Sequence, residues 1–167
     1  IHFKDESKAL TKILGHGQKL LKSINKNKKI REIAGNPLML TVITILYFNG
    51  TTELSSQRVV VYEMIIGHLL SSRTDFYKLS EEQRMHYLMT IALKMQQDIM
   101  HSQTSIELSK AKMHVRNIFD LSNVHTTGYL EAETTFGGVI IQKNLGEISF
   151  WHLSFQEYLG ARYLALK

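Results

Sequence analysis

The sequence predicts a mainly α-helical protein with one small β-hairpin. Three observations carry that expectation. Apolar residues recur at helical spacing through most of the chain. Serine, asparagine and the single proline stand where helices would begin. Near the end, Val139-Ile140-Ile141-Gln142 and Glu147-Ile148-Ser149-Phe150 flank a turn at residues 143–146, the pattern of a hairpin. The 167 residues are 44% hydrophobic and 21% charged, which points to a packed core in one domain or two small subdomains.

Ala9, Leu10, Ile13, Leu14, Leu20, Leu21 and Ile24 mark a first amphipathic helix, weakened at Gly15 and Gly17. A short helix over Lys28–Ala34 follows, with Ile30 and Ile33 inward. Gly35-Asn36-Pro37 is a stop–start signal: Gly35 suits a left-handed helix end, Asn36 a cap, and Pro37 the first helical position. Residues 38–48 are apolar nearly all round, so that helix is expected to be buried on most sides. After a turn at residues 49–52, Ser55 or Ser56 opens a helix running to about Ser71, with Val59, Tyr62, Ile66 and Leu69 inward. A loop over residues 74–79 leads to Ser80-Glu81-Glu82-Gln83, which has capping-box spacing. Tyr87, Leu88, Ile91, Leu93, Met95 and Ile99 are the apolar positions of the long helix behind it.

Residues 105–108 read as a short strand. Ser109 then caps a helix bearing Ala111, Val115, Ile118 and Phe119, and residues 122–136 are ambiguous. From residue 80 the order is helix, strand, helix, ambiguous segment, strand, strand, helix. With a helix at 122–136, this is the order of a winged-helix domain plus one closing helix. The expected architecture is therefore a helical bundle over residues 1–74 and a winged-helix domain with a small β-hairpin over 75–167.

The net charge of +5 is unevenly spread. Residues 1–34 hold nine Lys/Arg against three acids, so the basicity belongs to the N-terminal segment. That is either a solvated helix face or a surface for nucleic acid or acidic lipid. The absence of cysteine excludes a disulfide scaffold and a cysteine zinc site, and fits a reducing, cytoplasmic setting. The longest apolar run is about half the length of a membrane span, so no membrane partner is expected. The start at Ile1 rather than methionine leads to the expectation of a piece of a longer protein.

The most informative stretch runs from Phe150 to Ala165. It reads as a strand entering a helix, with His152 at the junction. Helix N-termini carry unpaired N–H groups and a positive dipole end, so an imidazole there can meet an anion such as phosphate. Ser154 and Glu157 have capping-box spacing, and Phe155, Leu159, Tyr163 and Leu166 form an apolar stripe. Phe150 and Trp151 read as hairpin core. Read alone, Pro37 is a helix-start proline and His152 a histidine packed under a hairpin. His2, His16, His68, His86, His101, His114 and His125 lack metal-site spacing and read as surface residues. No nucleophile elbow surrounds Ser154, so no catalytic residue is assigned.

Three segments together resemble a NACHT-type STAND NTPase, a family of signal-transducing ATPases that includes NOD-like receptors and bacterial antiphage defence proteins. They are residues 33–43 (Ile-Ala-Gly-Asn-Pro-Leu-Met-Leu-Thr-Val-Ile), Arg58-Val59-Val60-Val61-Tyr62-Glu63, and the 150–165 motif. The match covers residues 10 to 166 and corresponds to the helical and winged-helix domains that follow the family's nucleotide-binding core. The resemblance implies that Pro37 packs against the adenine base and that His152 contacts the β-phosphate of ADP. It also implies immune or antiphage signalling through a homo-oligomer, and it leaves the protein trigger unidentified. Gly160 stands where the family usually has alanine, and Leu54-Ser55-Ser56-Gln57-Arg58 lacks the usual proline. No G-x-x-x-x-G-K-[S/T] loop occurs, so ATP/ADP with magnesium is expected in a neighbouring core and this chain is not expected to be an enzyme.

A second reading is a winged-helix adaptor that binds protein or nucleic acid through the basic N-terminal helix. Direct DNA reading has little support. Residues 124–136 carry Glu131 and Glu133 and no Lys or Arg, and the wing turn offers only Lys143.

Overall fold

The computed structural model describes residues 2–50, 55, 57–71, 79–97, 104–119, 123–135 and 138–166. Among them the protein is mainly helical with a three-stranded antiparallel sheet. The chain divides into two compact units, Ile1–Ile65 and Ile66–Lys167, and the division falls inside a helix. The boundary expected at 74/75 lies outside the described residues.

In the first unit, α1 (His2–Lys26) runs unbroken through Gly15 and Gly17. Leu20 and Ile24 are buried, whereas Ile13, Leu14 and Leu21 are more than half exposed. The predicted stripe is thus covered only on the side that meets α2 (Lys28–Ala34). Asn27 caps α2, its Oδ1 accepting from the Lys29 and Ile30 amides, and Ile30 and Ile33 fill the core as expected.

Gly35 is not left-handed. Its φ of −64° continues the helix, and its N–H donates to the Arg31 carbonyl. A Cβ here would lie 3.2 Å from the Glu32 carbonyl oxygen, a tight approach within the same helical turn. Asn36 then caps α3 (Pro37–Phe48) through bonds of 2.9 and 3.2 Å from the Leu38 and Met39 amides, with Pro37 at the start. Met39, Val42, Ile43 and Leu46 are buried, but Leu40, Ile45 and Phe48 are 38%, 42% and 53% exposed. The helix is therefore covered on one side, not most sides. An apolar composition says what a helix can bury, not what is present to cover it.

Helix α4 (Arg58–Ser71) spans the division. Ser55 Oγ accepts from the Gln57 amide just before it, and Ser56 lies outside the described residues. The inward face is Val61, Ile65, Ile66 and Leu70. Val59 is 60% exposed, and Tyr62 and Leu69 are half-buried, so the predicted face is rotated. An exposed ion pair joins Arg58 to Glu32.

In the second unit, α5 (Glu81–Gln97) begins with the capping box the spacing predicts. Ser80 Oγ accepts from the Gln83 amide at 3.1 Å, and Gln83 Oε1 from the Ser80 amide at 2.9 Å. Tyr87, Leu88, Ile91 and Met95 are buried, Leu93 is half-buried, and Ile99 is outside the described residues. The strand β1 (Ile106–Glu107) passes directly into α6 (Leu108–Phe119). Ser109 lies inside α6 rather than capping it, and its hydroxyl donates to Glu107 Oε2. Ala111 and Val115 are buried, and Ile118 is 44% exposed. The ambiguous segment forms α7 (Asn123–Thr135), which packs on α6 and β2.

Strands β2 (Ile140–Asn144) and β3 (Glu147–Phe150) form the hairpin, with Gly146 at φ +78° in a turn shorter than predicted. The sheet order is β1-β3-β2, pairing Ile106 with Ile148 and Ile140 with Phe150. Phe150 is core as expected, but Trp151 is 37% exposed at the strand's end. The closing helix α8 (Leu153–Ala165) lies along α5. Phe155 and Leu159 are fully buried, Tyr163 is half-buried, and Leu166 is exposed past the helix end.

One buried contact locks α7 to the hairpin. Glu133 Oε1 accepts from the Val139 amide at 2.9 Å, and the Gly138 amide donates to the Glu133 carbonyl. A Cβ on Gly138 would occupy the position of the Glu133 carboxylate. Nearby, Tyr87 and Tyr129 meet edge-to-face at 5.6 Å. Burial pushes the Tyr129 hydroxyl well above its usual ionisation range, and Glu133 adds to the effect. Gly138→Ala should destabilise the second unit by about 1–3 kcal/mol, since Glu133 must leave its buried amide partner. Urea unfolding of the variant and wild type checks this, and an unchanged midpoint would refute the lock.

Candidate functional site

The junction between β3 and α8 is built by backbone bonds on both sides of His152. The Trp151 amide donates to the Val139 carbonyl at 2.9 Å, tying the end of β3 to the start of β2. His152 itself is extended, at φ −142° and ψ 141°, and the Phe155 amide donates to its carbonyl. That is the backbone of a helix N-cap.

The imidazole completes the cap. Its Nδ1 accepts from the Ser154 amide at 3.2 Å, and Ser154 Oγ lies 2.7 Å from the same nitrogen. The expected Ser154–Glu157 capping box does not form, because α8 starts at Leu153 and Ser154 already lies within its first turn. The serine supports the histidine instead. Histidine is a rare N-cap residue, so spacing rules favour the serine two positions later.

The chemistry of the ring follows. Accepting a backbone N–H requires the lone pair on Nδ1, so the neutral ring carries its proton on Nε2. The ring is half-buried and stands edge-on to Phe155, 6.5 Å between centres with planes at 72°. No acidic residue occupies the first turn of α8. A directed N–H donor at the positive end of a helix, without a competing carboxylate in that turn, is an arrangement that favours an anion.

Pro37 is exposed at the first position of α3. Its carbonyl accepts from Thr41 Oγ1 at 2.9 Å. Leu40, Ile45 and Phe48 extend an apolar, partly exposed face from it. Such a surface suits contact with a flat apolar ring and offers no charge for a phosphate. Pro37 belongs to the first unit and His152 to the second, and each is described within its own unit.

Among the described residues, no group of three or more His, Asp or Glu is arranged to hold a metal ion. Among them, too, no helix is long and apolar enough to cross a membrane. Gly160 has a packing role that the sequence does not reveal. The Gln96 side chain fills the space its Cβ would need, and Gln96 Nε2 donates to the Gln156 carbonyl at 3.5 Å. No protein-family model, curated protein or solved structure matches this chain.

The cap and the donor can be separated by mutation. His152→Ala removes both and should cost about 0.5–2 kcal/mol of stability, whereas His152→Asp restores a strong N-cap and should retain wild-type stability. Thermal unfolding of the three proteins checks this. Equal stability of the alanine variant would mean that the imidazole does not cap α8.

Proposed function

We propose that this chain is the regulatory module of a NACHT-type STAND ATPase, a helical domain followed by a winged-helix domain that reads the nucleotide held by an adjoining NTPase core. The helix–strand–helix–helix–strand–strand order from α5 to β3, with sheet order β1-β3-β2, supports the winged-helix reading. The observation that carries the functional reading is the His152 ring, whose Nδ1 is used by the α8 cap. The ring is thereby oriented with Nε2–H as its donor.

In this reading the core supplies the phosphate loop, magnesium and the ATPase chemistry. Here, the residues of the module act only as latch and base contact. His152 Nε2–H donates to an oxygen of the ADP β-phosphate, with the N-terminal end of α8 adding its positive dipole. Pro37 packs against adenine, and the exposed face of α3 docks on the core. The latch favours the closed, ADP-bound state. ATP makes different contacts and releases the winged-helix domain, which permits homo-oligomerisation. The setting is cytoplasmic immune or antiphage signalling.

A DNA-reading role has weaker support. On α7, Glu131 pairs with Lys112 and Glu133 is buried against the hairpin, so that helix offers phosphates no positive charge from these positions.

The test uses the module joined to its NTPase core. After denaturation, the wild type should release bound ADP, and His152→Asp should release little or none, whereas the module without the core should unfold at the same temperature with either residue. Equal ADP release from both proteins would refute the latch.

A further inference from the structure

A second site lies elsewhere in the Ile66–Lys167 unit, in a cleft of about 400 Å³ formed by α5, β1, α6 and β3. Its volume falls within the range of small-ligand pockets. The cleft shares no residue with the His152 junction. Its polar lining is unevenly satisfied. Glu107 is paired with Lys110 at 3.0 Å and also accepts from Ser109 Oγ. Glu147 accepts from Asn144 Nδ2 at 3.0 Å and from Ser105 Oγ at 3.3 Å. Both carboxylates that line the cleft therefore have partners on the protein.

The basic groups are different. Lys94 from α5 and His114 from α6 both line the cleft, are half-buried, and form no ion pair or hydrogen bond among the described residues. Two groups that can each carry positive charge thus converge from separate helices, and neither is directly paired with Glu107 or Glu147. Asn117, one turn along α6 from His114, adds an amide donor, and Ile106 supplies an apolar wall.

We infer that this cleft is an oxyanion-binding site, taking the phosphate or carboxylate group of a small ligand between Lys94 and His114. The ligand's anionic group supplies the direct partner that Lys94 and His114 lack, and its body lies against Ile106. The electrostatics of His114 agree with this geometry. Burial, and then the charge of Lys94, hold the His114 pKa below its usual value in the free protein. A bound anion opposes both effects, so binding draws a proton onto His114 and strengthens as pH falls through its titration. The other charged groups lining the cleft are Lys110 and Glu107, paired with one another, and Glu147, bonded as described.

The experiment is an NMR titration of the His114 ring signals with sulfate at constant ionic strength, on the whole chain, at several pH values. Sulfate keeps its charge over this range, so any pH dependence belongs to the protein. The expected result is saturable movement of the His114 signals, tighter at lower pH. Lys94→Met should weaken binding about tenfold. His114→Gln, followed through the Asn117 amide, should weaken it similarly and abolish its pH dependence. Absence of saturation, or wild-type affinity retained in both variants, would overturn the site. Parallel titrations identify the source of the anion: methyl phosphate binding better than acetate assigns a phosphorylated ligand, and acetate binding as well or better assigns a carboxylate.

Discussion

Helix α8 begins where a backbone amide finds an imidazole nitrogen. The bond from the Ser154 amide to His152 Nδ1 ends the sheet, starts the helix and selects the ring's tautomer. Upstream, the Trp151 amide is held by Val139, so the junction is anchored in the hairpin before the helix starts. Downstream, Phe155 and Leu159 are fully buried and α8 lies along α5. One side chain therefore serves two ends. Its Nδ1 belongs to the fold, and its Nε2–H belongs to the proposed latch. A histidine that was only core would not need a helix N-terminus beside it, and one that was only a ligand would be poorly held.

The two units differ in how completely they are covered. In the second, the faces of α5 and α8 close on one another, and Glu133 seals α7 to the start of β2. In the first, α1 and α3 each bury one side and expose apolar residues on another, including Leu14, Leu21 and Phe48. Leaving these side chains roughly half in water forgoes about 1 kcal/mol apiece relative to full burial. A docked NTPase core, as proposed, would recover part of that on the α3 face, where Pro37 is also exposed.

Local signals were legible in the sequence. Asn36-Pro37 and Ser80–Gln83 specify helix starts through contacts between residues two to three apart, and both formed as their spacing predicts. The two runs flanking the turn at residues 143–146 likewise marked the hairpin. Features set by distant neighbours were not legible. Apolar spacing placed Val59 inward, but the covered face of α4 is that of Val61 and Ile65. Gly35 looked like a left-handed cap, whereas its backbone continues the right-handed turn of α2. Residues 122–136 carry no decisive periodicity, and the helix there packs on α6 and β2. At the candidate site, the position of His152 could be read from the strand-to-helix pattern. Its capping role could not, because the rule that favours serine as a cap pointed to Ser154. The Lys94–His114 cleft joins residues twenty positions apart across a sheet strand, and no short motif encodes it.

The proposed latch depends on which nitrogen of the His152 ring carries the proton. The most direct measurement is a long-range nitrogen–proton correlation spectrum of the His152 ring, recorded where that ring is neutral. A bare Nδ1 and a protonated Nε2 in the folded protein are the expected pattern. A proton on Nδ1 in the folded protein would contradict it, because the Ser154 amide would then have no acceptor and the imidazole would not be oriented for phosphate.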